Sequence, residues 1–261
     1  MSSRERREWR RQLIWCCMPA SIDIVIPVLN EEHDLPRCVT TLRQFMADAI
    51  PNPWRIVIAD NGSDDTTPEV SRRLMQEYPE VGYIRLEQRG RGRALRKAWL
   101  ESHADMLSYM DVDLSTDLVA FPPMVKALEE GYDLAVGSRL AKGATVRRRM
   151  LKREITSRGY NMLIKAMFFT RFSDAQCGFK AMTRAAAQAL LPHIKDTGWF
   201  FDSELLIIAE KRGFRIKDVP VTWTDDPDTR VRVVRTAMKD VQGLLRLRFG
   251  GLPRIERPPL S

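Results

Sequence analysis

Apolar residues in the first half of the chain fall into short runs, each followed by a stretch with helical spacing. Ile22 to Ile26 is β-branched apart from Asp23. After Pro27-Val28-Leu29-Asn30-Glu31-Glu32, the apolar positions Leu35, Val39, Leu42 and Phe45 recur every three or four residues. The pattern predicts strand, loop, helix. Arg55 to Ala59 predicts a second strand, closed by Asp60-Asn61-Gly62-Ser63-Asp64-Asp65, a group of turn and helix-start residues, before a helix over Val70 to Tyr78. Gly82 to Leu86 predicts a third strand. A glycine and arginine loop then leads into a helix over Ala94 to His103, and Met106 to Met110 predicts a fourth strand ending at Asp111.

Alternation of this kind builds a mainly parallel sheet covered by helices. Ligands of such sheets bind beyond the carboxyl ends of the strands. The polar clusters sit at those ends, so the chemistry is expected along one edge of the sheet. Further on, Leu134 to Gly137 and Ile216 to Val221 predict strands, and Gly159 to Phe169, Ala185 to Leu191 and Ser203 to Arg212 predict helices. Thr236 to Phe249 reads as an amphipathic helix, with Met238, Val241, Leu244, Leu245 and Leu247 against Lys239, Arg246 and Arg248. There is no repeat and no low-complexity segment.

Composition fits one globular catalytic domain with appendages: 261 residues, 44% of them hydrophobic, are enough for a sizeable core. Forty-two Lys and Arg against 34 Asp and Glu give a formal charge of +8, which favours anionic partners such as nucleotides, phospholipid surfaces or nucleic acid. Cys16, Cys17, Cys38 and Cys177 show neither zinc-site spacing nor the density of a disulfide framework, so a reducing, cytoplasmic compartment is expected. Met162 to Phe169 is too short to span a bilayer core and carries Lys165, so no transmembrane helix is expected. The N-terminus around Arg4 to Arg11 is too basic for a secretory signal and is expected to be retained. With Trp9, Leu13, Ile14 and Trp15 among its arginines, it is either a segment lying on an anionic membrane or a solvated tail.

Asp111-Val112-Asp113 follows a strand, so two carboxylates flank a strand end where they can meet a hard, oxygen-preferring ion, Mg²⁺ or Mn²⁺. Such a triplet alone is weak, because acidic residues also begin loops and cap helices. Its order in the chain gives it meaning. Pro27-x-x-Asn30-Glu31 follows the first strand, Asp60-Asn61-Gly62-Ser63-x-Asp65 the second and Asp111-x-Asp113 the fourth. Together they resemble glycosyltransferase family 2. The resemblance continues through Gly137-Ser138-Arg139, Asp174-Ala175-Gln176-Cys177-Gly178-Phe179-Lys180, Phe201-Asp202-Ser203-Glu204-Leu205 and Gly213-Phe214-Arg215-Ile216-x-x-Val219-Pro220-Val221. The later motifs are similar to those of the polyprenyl-phosphate (dolichyl-phosphate) glucosyltransferase and mannosyltransferase branch.

The resemblance implies the GT-A fold: α/β, a Rossmann-like, mainly parallel sheet flanked by helices in a single catalytic domain over residues 21–225. A basic tail over residues 1–20 precedes it and an amphipathic extension over residues 226–261 follows. By the same resemblance Pro27, Asn30 and Glu31 line the nucleoside pocket, with Asn61 and Gly62 in the adjoining loop, and Asp60 contacts base or ribose. Asp113 is the direct metal ligand, Asp111 lies near ribose and metal, and Arg139 lies near the diphosphate. For Glu31 and Asp60 the other reading is a helix cap.

Arg89-Gly90-Arg91-Gly92-Arg93-Ala94 is either a diphosphate-facing loop, with Arg91 or Arg93 on the phosphates, or a solvated turn. It is no dinucleotide fingerprint, which belongs after the first strand and would mark a nicotinamide oxidoreductase. Arg147, Arg148, Arg149, Lys152 and Arg153 precede the apolar helix. They read as a cationic gate for a lipid phosphate with that helix at the membrane interface, or as the exposed basic end of a core helix. Asp174 and Glu204, with Asp202 nearby, are the acceptor-side carboxylates.

The expected reaction is inverting transfer of a hexose from a nucleotide sugar, UDP-glucose before GDP-mannose, to a polyprenyl phosphate. Mg²⁺ or Mn²⁺ serves as cofactor, and the protein lies peripherally at the cytoplasmic membrane face. The alternatives are a sugar or other hydroxyl acceptor and, outside the enzyme class, nucleic-acid binding. The latter is disfavoured because the basic residues lack interleaved aromatics.

Overall fold

A computed structural model describes residues 19–147, 151–224 and 233–259. Strands β1 (Ile22–Val28), β2 (Trp54–Asp60), β3 (Val81–Arg85) and β4 (Met106–Met110) alternate with helices α1 (Leu35–Ala49), α2 (Thr67–Glu77) and α3 (Arg91–Glu101). Then come α4 (Phe121–Glu129), β5 (Leu134–Ser138), β6 (Thr145–Arg147), α5 (Leu151–Phe168), β7 (Phe179–Thr183) and α6 (Arg184–Leu190). The described chain finishes with α7 (Phe201–Lys211), β8 (Ile216–Pro220), β9 (Thr222–Thr224) and α8 (Val233–Gly250).

Seven strands form one sheet in the order β3-β2-β1-β4-β7-β5-β8, and β6 pairs with β9 in a small second sheet. The main sheet is parallel except for β7, which runs antiparallel between β4 and β5. This is the mainly parallel, helix-flanked α/β single domain expected from the sequence.

Side-chain alternation explains the two cores. Ile22, Ile24 and Ile26 of β1 face one way and pack with Leu35 and Leu42 of α1 and Phe121 of α4. Val25 faces the other way, into a core built with Trp99 of α3, Phe201 and Leu205 of α7, and Leu244 of α8. Each such side chain contributes about 1.5–3 kcal/mol by leaving water.

Several elements depart from the sequence reading, the short strands β6 and β9 among them. Helix α4 is absent from the sequence reading; its Pro122 and Pro123, residues that disfavour a helix interior, occupy its first turn, where an absent N–H costs nothing. Strand β7 was hidden by Lys180, the second residue of a five-residue run. Helix α5 begins well before Gly159, which lies inside the helix rather than at its start.

In α8 the apolar positions are divided. Leu244 and Leu247 are buried, whereas Met238, Val241 and Leu245 are exposed. No helix among the described residues is long and apolar enough to cross a membrane. The basic N-terminal segment lies outside the described residues, as do Arg148 and Arg149 and the side chains of Lys152 and Arg153.

Candidate active site

The parallel register brings Val28 level with Asp60, so the loops after β1 and β2 leave the sheet side by side. They are tied together. The Asn30 amide donates to Ser63 Oγ at 3.0 Å, the Asp64 amide to Asn30 Oδ1 at 2.9 Å, and the Glu31 amide to Thr67 Oγ1 at 2.8 Å. Asn30 takes the left-handed conformation, with φ 58°, which asparagine tolerates better than most residues. Gly62, with φ 76°, is needed for the turn itself.

Asp60 is fully buried, and its carboxylate accepts from the Ser63 amide at 2.9 Å and the Tyr83 hydroxyl at 2.9 Å. Burial first, and then this carboxylate, push the Tyr83 hydroxyl up to about 12. Neither Glu31 nor Asp60 caps a helix: the N-cap residues of α1 and α2 are Asp34 and Thr66. Asn61 Oδ1 accepts from the Gly90 amide, and Gly62 O accepts from Arg89 Nε at 3.3 Å. The glycine and arginine loop is thereby fastened to the loop after β2. Pro27 lies half-buried at the end of β1.

Asp111 and Asp113 emerge where β4 ends. The Asp111 amide donates to Gly178 O at 3.2 Å, and the Leu114 amide to Asp111 O at 3.2 Å, closing a turn in which Asp113 Oδ1 accepts from the Ser115 amide at 2.9 Å. Asp113 is exposed, and the Asp111 side chain is 43% exposed. A Cβ added at Gly178 would lie 1.6 Å from Asp111 Oδ2. The glycine is therefore the floor on which this carboxylate rests.

The pair offers only hard oxygen donors, which suits Mg²⁺ or Mn²⁺. Mg²⁺ characteristically takes one or two carboxylates and completes its shell with substrate phosphate and water oxygens. Among the described residues no group of three or more His, Cys, Asp or Glu gathers to cage an ion. The donor set thus fits a cation shared with a diphosphate. A cleft of about 430 Å³ opens beside Asp113, and its lining includes Asp34, Arg37, Phe45, Thr116 and Arg147.

Arg91, at the first position of α3, is buried rather than open at the loop surface. Its two terminal nitrogens donate to Asp202 Oδ2 at 2.7 Å and to Asp111 Oδ1 at 2.8 Å. Arg93 donates to Gln88 through its side chain and to Thr197 O through its amide, at 3.2 Å. Asp202 also accepts from the Tyr109 hydroxyl at 2.5 Å and lies 3.2 Å from Lys180 Nζ. Burial works to raise the Asp202 carboxyl, yet Lys180, Arg91 and the Tyr109 hydroxyl hold it below the usual carboxylate range.

On the far side of β7, Arg139 grips Asp174 in a bidentate pair, Nε to Oδ2 at 2.7 Å and a terminal nitrogen to Oδ1 at 3.0 Å, with the Arg139 amide adding a third bond at 3.2 Å. Asp174 has no exposed surface. Burial opposes its ionisation, but Arg139 outweighs that and holds the carboxyl below the usual range. The Arg139 guanidinium lies over Trp223, 5.3 Å from the ring centre. Burial works against the Arg139 charge, but Asp174 above all, with Asp111 among the weaker contributors, holds the guanidinium protonated.

Glu204 stands apart. It is buried and accepts from the Asp196 amide at 2.7 Å and from Arg246 of α8 at 2.9 Å, fastening the C-terminal helix to α7. Tyr109 and Lys180 were overlooked as site residues. The available signal was a lysine inside a buried strand, a charge that demands a partner.

A family model described as "Glycosyl transferase family 2" matches residues 23–191. Glycosyltransferase AglD of Haloferax volcanii is 36% identical over 217 residues, covering 82% of this chain and 35% of AglD. The chain therefore spans little more than a third of that relative. The dolichyl-phosphate beta-glucosyltransferase of Saccharomyces cerevisiae is 26% identical over 255 residues, covering 90% of this chain and 76% of that protein. Among solved structures, glucosyl-3-phosphoglycerate synthase from Mycobacterium tuberculosis, in complex with Mn²⁺, uridine diphosphate and phosphoglyceric acid, aligns with a TM-score of 0.68. That likeness, at 18% identity over 90% of this chain and 80% of that one, is one of fold.

Proposed function

The chain belongs to glycosyl transferase family 2, and from that premise we propose that it moves a hexose from a nucleotide sugar to a polyprenyl phosphate with inversion. UDP-glucose is the favoured donor and GDP-mannose the next, because the relatives include dolichyl-phosphate beta-glucosyltransferases. The observation that carries the reading is the Asp111 and Asp113 pair at the end of β4, beside the loops after β1 and β2.

On this reading Pro27, Asn30, Glu31, Asp60, Asn61 and Gly62 form the nucleoside pocket, with buried Asp60 holding the loop in shape. Asp113, with Asp111 beside it, would hold Mg²⁺ or Mn²⁺. When bound, the ion neutralises charge growing on the departing diphosphate. Arg139, oriented by Asp174, presents positive charge on the same neighbourhood, and Arg147 lines the cleft beside Asp113, where an acceptor phosphate can be steered.

The carboxylates favour a phosphate acceptor over a hydroxyl one. A hydroxyl needs a base, and the two candidates are buried and committed to arginines, Asp174 to Arg139 and Glu204 to Arg246. A phosphate acceptor is already ionised near neutral pH and asks chiefly for positioning.

Helices α5 and α8 pack together, and both carry exposed stripes at helical spacing. Ile155, Arg158, Met162, Lys165 and Phe169 follow one another along α5 and its end, and Met238, Val241, Leu245 and Phe249 along α8. Apolar residues interleaved with basic ones suit a peripheral membrane surface that also holds the lipid acceptor.

The test measures release of UDP or GDP from a panel of sugar nucleotides, with and without a short polyprenyl phosphate, each with and without chelator. Turnover that requires both acceptor and Mn²⁺ or Mg²⁺, and that Asp113→Asn abolishes in a folded protein, is expected. Acceptor-independent, chelator-insensitive turnover would sink the reading.

A further inference from the structure

Tyr109 and Asp111 lie two residues apart along β4 and its extension and so point to the same face, and the register sets Lys180 of β7 directly beside Tyr109. Onto that face comes Arg91, its guanidinium between the rings of Tyr109 at 4.8 Å and Trp199 at 5.0 Å. The fork has two ends. One nitrogen donates to Asp202 and the other to Asp111, 2.7 and 2.8 Å away. Because the guanidinium is planar and rigid, fixing one end fixes the direction of the other.

The Asp202 end is anchored. Its second oxygen accepts from the Tyr109 hydroxyl at 2.5 Å and faces Lys180 Nζ at 3.2 Å, and Lys180 is held in turn by Cys177 O at 2.5 Å. Asp202 is 4% exposed and lies behind Arg91. The Asp111 end opens to solvent, with Arg91 on Oδ1 and Gly178 under Oδ2.

We propose that Asp202 is a positioning residue that, through the guanidinium of Arg91, aims Asp111 at the metal and nucleotide diphosphate. The inference rests on the donor site proposed above and assigns to Arg91 the orienting of a carboxylate in place of direct contact with phosphate. Three groups from three separate segments, α3, β4 and α7, thereby set one carboxylate's direction.

The test reads Mn²⁺ binding directly, by electron paramagnetic resonance of free Mn²⁺ as the full chain is titrated in the presence of UDP, alongside a thermal melt. Asp202→Asn and Arg91→Met are each expected to weaken Mn²⁺ binding about 10-fold or more, as removal of an outer partner of a metal ligand does. The double variant is expected to lose no more than the single ones, since the two residues act in series. Arg91→Lys, which keeps the charge and loses the fork, is expected to fall with Arg91→Met. Wild-type affinity in a folded Asp202→Asn protein, or additive losses in the double variant, overturns the proposal.

If Asp202→Asn fails to melt cooperatively, Arg91→Lys decides: about 10-fold weaker binding supports the relay, and unchanged binding overturns it. Equal Mn²⁺ binding by the wild type and Asp113→Asn marks a different failure, that of the donor site itself, and removes the ground for the relay.

Discussion

The two halves of the molecule differ in how much charge they bury and in which large apolar residues they leave exposed. In the first, through α4, large apolar side chains line the sheet and most carboxylates stand in loops, so that Asp113 is exposed and Asp111 partly so, although Asp23, Asp60 and Arg91 are buried there. In the second, Asp174, Lys180, Asp202 and Glu204 are buried, while Ile155, Met162, Phe169, Met238 and Phe249 are exposed. The second places more of its ion pairs inside and more of its large apolar residues outside.

The sharpest way to break this contrast is to remove one cation from each half. Arg139→Met leaves Asp174 buried without its partner and is expected to cost about 3–5 kcal/mol in a urea melt. Arg85→Met is expected to move the same melt far less, because Asp60 keeps its bonds from Tyr83 and the Ser63 amide and the Arg85 contact is long, at 3.4 Å. Equal costs would show that dependence of a buried carboxylate on one arginine does not distinguish the halves.

Gly178→Ala tests the seam between them. The new methyl must displace the Asp111 carboxylate, so kcat/KM is expected to fall about 100-fold while the thermal midpoint moves little. An active variant would mean that Asp111 need not rest where it does.

Met162→Glu combined with Phe249→Glu tests the outward apolar face. Binding to anionic phospholipid vesicles, measured by sedimentation, is expected to weaken at least about 10-fold, with the fold unchanged by circular dichroism. Unaltered binding would free this face for another use.

The smallest effect concerns Asp240 on α8, which accepts from Gln176 at 3.0 Å. Burial, then the charges of Asp196 and Asp202, raise its carboxyl to about 6 against the opposing bond from Gln176. An acid with a raised folded pKa costs the fold nothing below the unfolded value near 4, progressively more between pH 4 and 6, and its full amount above. Asp240→Asn is accordingly expected to stabilise the protein at pH 7 to 8 by about 1 kcal/mol, after discounting for solvent screening, and to change nothing below pH 4. A pH-independent difference between variant and wild type would assign the effect to packing instead.

Much of the first half was legible because its signals are local. A β-branched run, a turn cluster and an apolar period of three to four residues specify strand, loop and helix within about 20 residues, and parallel pairing then aligns the loops that carry Asn30, Asp60 and Asp111. Helix α4 and strand β7 were hidden where a local rule was outweighed, by prolines harmless in a first turn and by a lysine whose partners lie elsewhere. The amphipathic pattern of α8 was legible, but which of its leucines turn inward was not, since that depends on what packs against it.

What the sequence alone determined was the order of the elements from β1 to β4, the strand ends at which the polar loops gather, and the acidic triplet among them. Only the tertiary structure decided which charges meet: that Arg91 faces two carboxylates from opposite directions, that Asp174 and Glu204 are each taken by an arginine, and that Gly178 lies beneath Asp111. The physical reason is one of range. Backbone propensity and side-chain periodicity act over neighbouring residues, whereas an ion pair such as that of Arg91 with Asp202 joins positions 111 residues apart, and the intervening chain does not encode its direction.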